Sequence, residues 1–303
     1  MKKTFHVCLS AGEDGLLCRE ELDYIRLVNA ICMTAYHTDS SLLAYAVMSN
    51  HVHMCVRSED VQEFIRKWRY MYSRYFNSRY ERRGRLGEKV PFMLELDGLH
   101  HTLTAIAYVL RNPLHHGVAA TPFGYRFSSV NAVFRKEMGR QPEKVLAGKS
   151  MYRFMPEAME CPSRYKMAED GLLLPESVID VADVEHMFVT ARSYLYYMNG
   201  LSGRKWEEEQ MQDGLNVPTV TLESLENGIA DDMQKLLTNE FGRADYNAMS
   251  DIDLCGIIDK DCVVRYGAPS VCRLDDKARS AIAARLVSEF HVPRLQVKRC
   301  LAM

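Results

Sequence analysis

The chain has 303 residues, 47% of them apolar and 26% charged, the balance of a globular protein long enough to build two cores. No apolar run reaches the ~20 residues of a membrane span, Met1–Cys8 lacks the apolar core of a signal peptide, and the nine cysteines contain no C-x-x-C pair; the expectation is a cytoplasmic protein with reduced thiols and no membrane partner. The net charge of −2 hides an asymmetry: residues 1–150 carry 21 Lys and Arg against 15 Asp and Glu, the remainder 17 against 25, so a polyanionic partner is expected for the first half alone.

In chain order, Thr4 to Ser10 reads as a strand, with Phe5, Val7 and Leu9 alternating with His6, Cys8 and Ser10. Glu20 to about Tyr36 has apolar residues at helical spacing. Residues 42–56 then form two apolar runs broken by Met48-Ser49-Asn50, and Ser and Asn are turn formers. This predicts a hairpin or a sharply bent strand whose second arm opens with His51 and His53. Alternate residues of a strand share a face, so the two imidazoles point the same way, and such a pair can hold a divalent metal.

Ser58-Glu59-Asp60 has the composition of a helix start. Val61, Phe64, Ile65, Trp68, Tyr72, Tyr75 and Phe76 recur at the spacing of a long amphipathic helix. Its other faces and its tail carry Arg66, Lys67, Arg69, Arg74, Arg79, Arg82 and Arg83, interleaved with Tyr70, Tyr72 and Tyr80. A one-signed run is commonly a solvated helix face. Cations for phosphates beside aromatic rings for unstacked bases are also what single-stranded nucleic acid requires.

A short strand is predicted at Pro91 to Leu96, then a helix from Leu99 with a stripe of Leu99, Leu103, Ile106 and Leu110. At about 100° per residue, Tyr108 falls opposite that stripe and Asn112 lies one turn beyond it. Pro113 is expected to end the helix, and His115-His116 to lie solvated in the following turn. Pro122 to Val130 reads as an ordered aromatic loop closing a first domain, with the division drawn at residue 145. The region 146–303 is expected to be mostly helical, with helices at Val181–Met198, Thr221–Leu237, Asp251–Arg265 and Asp275–Phe290. The basic end, 275–303, has the pattern of a helix-turn-helix or equally of two packed terminal helices; on the first reading Arg294, Lys298 and Arg299 are its candidate DNA contacts.

The stretch Tyr45-Ala46-Val47-Met48-Ser49-Asn50-His51-Val52-His53 resembles the His-hydrophobic-His (HUH) strand of IS200-type single-tyrosine transposases, and Tyr108-Val109-Leu110-Arg111-Asn112-Pro113 resembles the catalytic helix of their REP-associated subgroup. The resemblance covers residues 1–135. Ser49 departs from it, standing where Pro is usual. It implies an α/β (α+β) domain with a ferredoxin-like antiparallel sheet, Tyr108 as nucleophile, Mg²⁺ or Mn²⁺ held by His51, His53 and Asn112, and single-stranded or hairpin DNA as partner. The implied reaction is metal-dependent nicking and rejoining through a 5′-phosphotyrosine. The alternative is a non-catalytic nucleic-acid-binding regulator that keeps the transposase fold. A histidine-triad nucleotide hydrolase is set aside, because the third histidine that class needs is replaced by Cys55.

Overall fold

Strand β1 (Lys3–Ser10) forms where the alternation predicts it, and helix α1 (Glu21–His37) follows. The start of α1 is a capping box. Glu20 and Asp23 satisfy each other's backbone N–H groups, and Asp23 also accepts from the backbone N–H of Arg19 at 2.8 Å. Strands β2 (Ser41–Val47) and β3 (His51–Ser58) make the predicted hairpin around Met48-Ser49-Asn50. Helix α2 (Val61–Arg79) is capped by Asp60, which accepts from the Glu63 N–H at 2.8 Å, while Ser58 holds the Asp60 N–H. Strand β4 (Phe92–Leu96) and helix α3 (Gly98–His115) complete the unit. In this computed structural model the residues described are 1–12, 15–146, 148–156, 160–200 and 249–303.

The four strands form one antiparallel sheet in the order β2-β3-β1-β4, and with β-α-β-β-α-β connectivity this is the ferredoxin-like arrangement. The fold is α+β. Helices α1 and α2 pack together on one face of the sheet, over Val7, Leu9, Val52, Met54 and Val56. Helix α3 contacts β2 and β3 on the other face. The aromatic loop is ordered as expected: it pairs with the outer edge of β2 through Val47 N–H to Phe127 O at 2.9 Å and Ser129 N–H to Tyr45 O at 3.0 Å.

Helix α3 does not stop at Pro113. It continues to His115, and the His116 N–H still bonds to Asn112 O at 3.1 Å. A proline removes one donor, here a small loss against the burial of every residue from Thr104 to Pro113. The predicted helix at 181–198 is two helices, α4 (Val181–Phe188) and α5 (Ala191–Asn199). They break at Val189, whose φ is +65°, and Thr190 caps the second. Both pack against α3. The apolar core of the sheet thus takes in residues on both sides of 145, from Val7 to Met198.

A second core lies among α6 (Asp251–Asp261), α7 (Asp276–Phe290) and α8 (Arg294–Leu301), and it recruits Leu16 from the loop after β1. Helices α7 and α8 are joined by the short turn at 291–293. The helix expected at Thr221–Leu237 lies outside the described residues. Among those described, no helix is long and apolar enough to cross a membrane.

Candidate active site

The face of the sheet beneath α3 is unusually polar. Antiparallel partners share a face, and the register pairs Cys8 with His53, Ser10 with His51 and His6 with Cys55. Alternation therefore lays His6, Cys8 and Ser10 of β1 beside His51 and His53 of β3, all buried. Helix α3 lowers Tyr108 and Asn112 onto them, one turn apart on its inner side.

The contacts are close. His51 Nε2 lies 2.8 Å from Asn112 Oδ1, and its Nδ1 lies 2.8 Å from Asn50 Oδ1. His53 Nδ1 lies 3.0 Å from His6 Nε2, and the two rings stack with centroids 5.2 Å apart. His53 Nε2 faces the Cys8 thiol at 3.8 Å. The Tyr108 ring stands edge-on to His53 at 5.4 Å and to His6 at 5.6 Å. His51, His53, Tyr108 and Asn112, separated by up to 61 residues, thus form one cluster.

Burial sets the charge state of this cluster. Desolvation lowers His6 to about 3 and His51 to about 4, and it holds His53 well below the ordinary imidazole value, with the neighbouring histidines adding to the effect. All three are neutral near pH 7, the form that ligates a metal. A neutral His51 has one N–H but faces two amide oxygens, so one of its nitrogens meets an acceptor with a lone pair rather than a proton. An amide turned to present its Nδ2, or a cation at His51 Nε2 and Asn112 Oδ1, meets that lone pair. Their 2.8 Å separation matches neighbouring ligands around a six-coordinate ion with bonds of roughly 2.1 Å. Among the described residues, no three His, Cys, Asp or Glu side chains are arranged to hold a metal by themselves. The candidate donors are His51 Nε2 and Asn112 Oδ1, with the His53 ring beside His51.

Three members of the cluster escape sequence reasoning. His6 and Cys8 read as the polar side of an alternating strand, yet both are fully enclosed; the available signal is that this side of β1 carries no charge from His6 to Ser10. His116 is not solvated. It is 7% exposed, its ring centroid lies 4.7 Å from that of His51, and burial drives its pKa well down. Tyr108, though opposite the predicted stripe, is itself 7% exposed, whereas Leu99 of the stripe is 56% exposed.

The basic residues lie elsewhere. Helix α2 runs on the opposite face of the sheet from the histidines. Arg66 makes two bonds to Glu63, at 2.7 and 2.8 Å, and Lys67 pairs with the same carboxylate. Arg69 donates to the Leu86 and Glu88 carbonyls, and Arg79 pairs with Glu20 at 2.9 Å. Arg82 bonds to Asn77 and to the 84–85 backbone. Arg74 lies over the Tyr70 ring, and Arg83 is exposed. Of the interleaved tyrosines only Tyr70 presents its ring to solvent; the Tyr72 hydroxyl donates to Leu17 O and the Tyr80 hydroxyl to Asp23. The helix does return to the histidine end of the sheet. Arg69 holds Glu88, whose N–H bonds to Ser10 O, and Ser10 is the partner of His51.

Residues 5–90 match the family model described as "Transposase IS200 like". Over those residues the chain is similar to the IS200-like transposases. The match includes His51 and His53 and ends before Tyr108. Among solved structures, the chain is similar to a REP-associated tyrosine transposase bound to a REP hairpin, with 15% identity and a TM-score of 0.37 over 53% of this chain and 95% of that one. Comparison with curated proteins finds no match.

Proposed function

We propose that the protein nicks and rejoins single-stranded or hairpin DNA through a covalent link to Tyr108. The observation that carries this reading is the enclosure of Tyr108, His51, His53 and Asn112 in one cluster, with the Tyr108 ring against His53. The IS200-like character of the segment bearing both histidines supports it.

In this reading Tyr108 Oη attacks the scissile phosphorus while the bond to the 3′ oxygen breaks. The products are a 5′-phosphotyrosine and a free 3′-hydroxyl. The phenol gives up one proton and the departing oxygen takes one up. The tyrosyl ester conserves the energy of the phosphodiester, so the strand can be rejoined without a nucleotide cofactor. An unperturbed phenol ionises near pH 10. A divalent ion held by His51, His53 and Asn112 supplies charge at the phosphate oxygens. His6 holds His53 by its Nδ1 and leaves the Nε2 edge directed into the cluster. The exposed cations at the end of α2 bind the phosphates that flank the cut.

The test is to incubate the full chain with pooled hairpin and single-stranded oligonucleotides and Mn²⁺, then to map the trapped adduct by peptide analysis. Attachment at Tyr108, abolished in Tyr108→Phe and by a chelator, is the expected result. Attachment at Tyr70 or another tyrosine overturns the assignment. Tight binding with no adduct under any condition replaces it with the regulator.

A further inference from the structure

The helices α6–α8 reach the turn that precedes His51. The Ser49 hydroxyl donates to Asp251 Oδ2 at 2.6 Å, and both residues are buried. Asp251 is in turn fixed by Arg299, through bonds of 2.8 and 2.9 Å, and by the Gln296 amide at 2.9 Å. The same helices hold the loop after β1. Arg19 donates to Cys300 O at 2.7 Å and to Asp259 at 2.8 Å. Gly15, with φ +77°, passes so close to the Arg299 carbonyl that a Cβ there would collide with it. That loop then clamps the turn by its backbone: Leu17 N–H and Cys18 N–H bond to Ser49 O, and Ala11 N–H to Asn50 O. Asn50 Oδ1 in turn holds His51 Nδ1 at 2.8 Å.

We propose that Ser49 and Asp251 are positioning residues for His51, so that the C-terminal helices set the orientation of the imidazole whose Nε2 faces Asn112. Two observations argue against simple surface docking. A buried carboxylate that accepts from a hydroxyl, a guanidinium and an amide is a costly arrangement that requires every partner. All of its reach into the neighbouring domain goes to the one turn whose next residue is His51. A ring held at Nδ1 is fixed in tautomer and direction at Nε2. The inference rests on the proposed metal site for its effect on function, but not for its effect on the ring.

The experiment uses the full chain with Ser49→Ala, Ser49→Thr and Ile282→Ala. The last weakens the second core, where Ile282 is 3% exposed, without touching the turn. Two quantities are read: the imidazole resonances of His51 in metal-free protein, and affinity for Mn²⁺ alone. Ser49→Ala is expected to shift the His51 resonances and to weaken Mn²⁺ binding by about tenfold, the usual effect of losing a partner behind a ligand. Ser49→Thr, which keeps the hydroxyl, restores both. Ile282→Ala lowers the melting temperature but leaves both readings near those of the parent. Unchanged His51 resonances in Ser49→Ala, or an equal change in Ile282→Ala, overturns the proposal. If the parent protein binds no Mn²⁺, the metal reading falls while the resonances still decide the positioning.

Discussion

At the scale of single residues, the site is a set of neutral imidazoles stacked under a tyrosine. His6 illustrates the energetics. Removing it in His6→Ala leaves His53 Nδ1 buried without its partner and opens a cavity, so a loss of about 2 kcal/mol in urea denaturation is expected. Mn²⁺ affinity should fall by about tenfold in the same variant. The depressed pKa values give a second expectation, for the metal-free protein. An unfolded imidazole takes a proton near pH 6.5, but His51 resists until about 4 and His6 until about 3. The unfolded chain therefore binds more protons in that window. The contribution is fully present above pH 6.5 and is lost as the pH falls toward 4. A urea midpoint that is flat between pH 7 and pH 5 would contradict it. His51, His53, Tyr108 and Asn112 are legible in the sequence because strand alternation and helical spacing put each pair on one face. His6 and His116 are not, because alternation says which residues share a side but not which side another element will cover.

Among the elements, α1 and α2 are joined by a carboxylate. Asp23 accepts from two backbone N–H groups at the start of α1 and from the hydroxyls of Tyr75 at 2.9 Å and Tyr80 at 2.6 Å. Asp23→Ala strands all four donors, and a loss of about 3 kcal/mol is expected, measurable as a drop in urea midpoint. The cations of α2 divide by their partners. Arg66 is neutralised by Glu63, so Arg66→Ala should leave DNA affinity within about twofold. Arg83 is exposed beyond the helix end, and Arg83→Ala should weaken binding and flatten the slope of log K against log salt by roughly 0.7, one phosphate contact on a single strand. Equal effects from the two would refute this division. The helices themselves are readable from apolar spacing. The over-run of α3 past Pro113 is not, since the local cost of a proline is visible in sequence but the tertiary burial that outweighs it is not.

For the whole molecule, the second core and the first share the loop after β1 through Leu16 and Arg19. The sequence pattern makes Arg299 a candidate DNA contact at the basic end of the chain. Arg299 is instead locked to Asp251, with its side chain 11% exposed. Deleting 273–303 should therefore strip a buried carboxylate of Arg299 and Gln296 and lower the melting temperature of the entire chain, rather than selectively weaken binding. The cleaner probe is Arg294→Glu with Lys298→Glu, two exposed positions on α8. If both touch phosphates, the salt slope falls by about 1.4 with the melting temperature unchanged. A contact such as Arg19 to Cys300, across 281 residues, leaves no local trace in sequence, which is why a division near residue 145 rests on loop composition alone. The sheet has a further consequence on the timescale of descent. The cluster under α3 and the cations of α2 lie on opposite sides of four strands and meet only through backbone groups such as those of Leu17 and Glu88. On the proposed function, substitutions in the cluster can erode cutting while the exposed cations keep their grip, so lineages of such chains can drift from enzyme to DNA-bound passenger while staying folded.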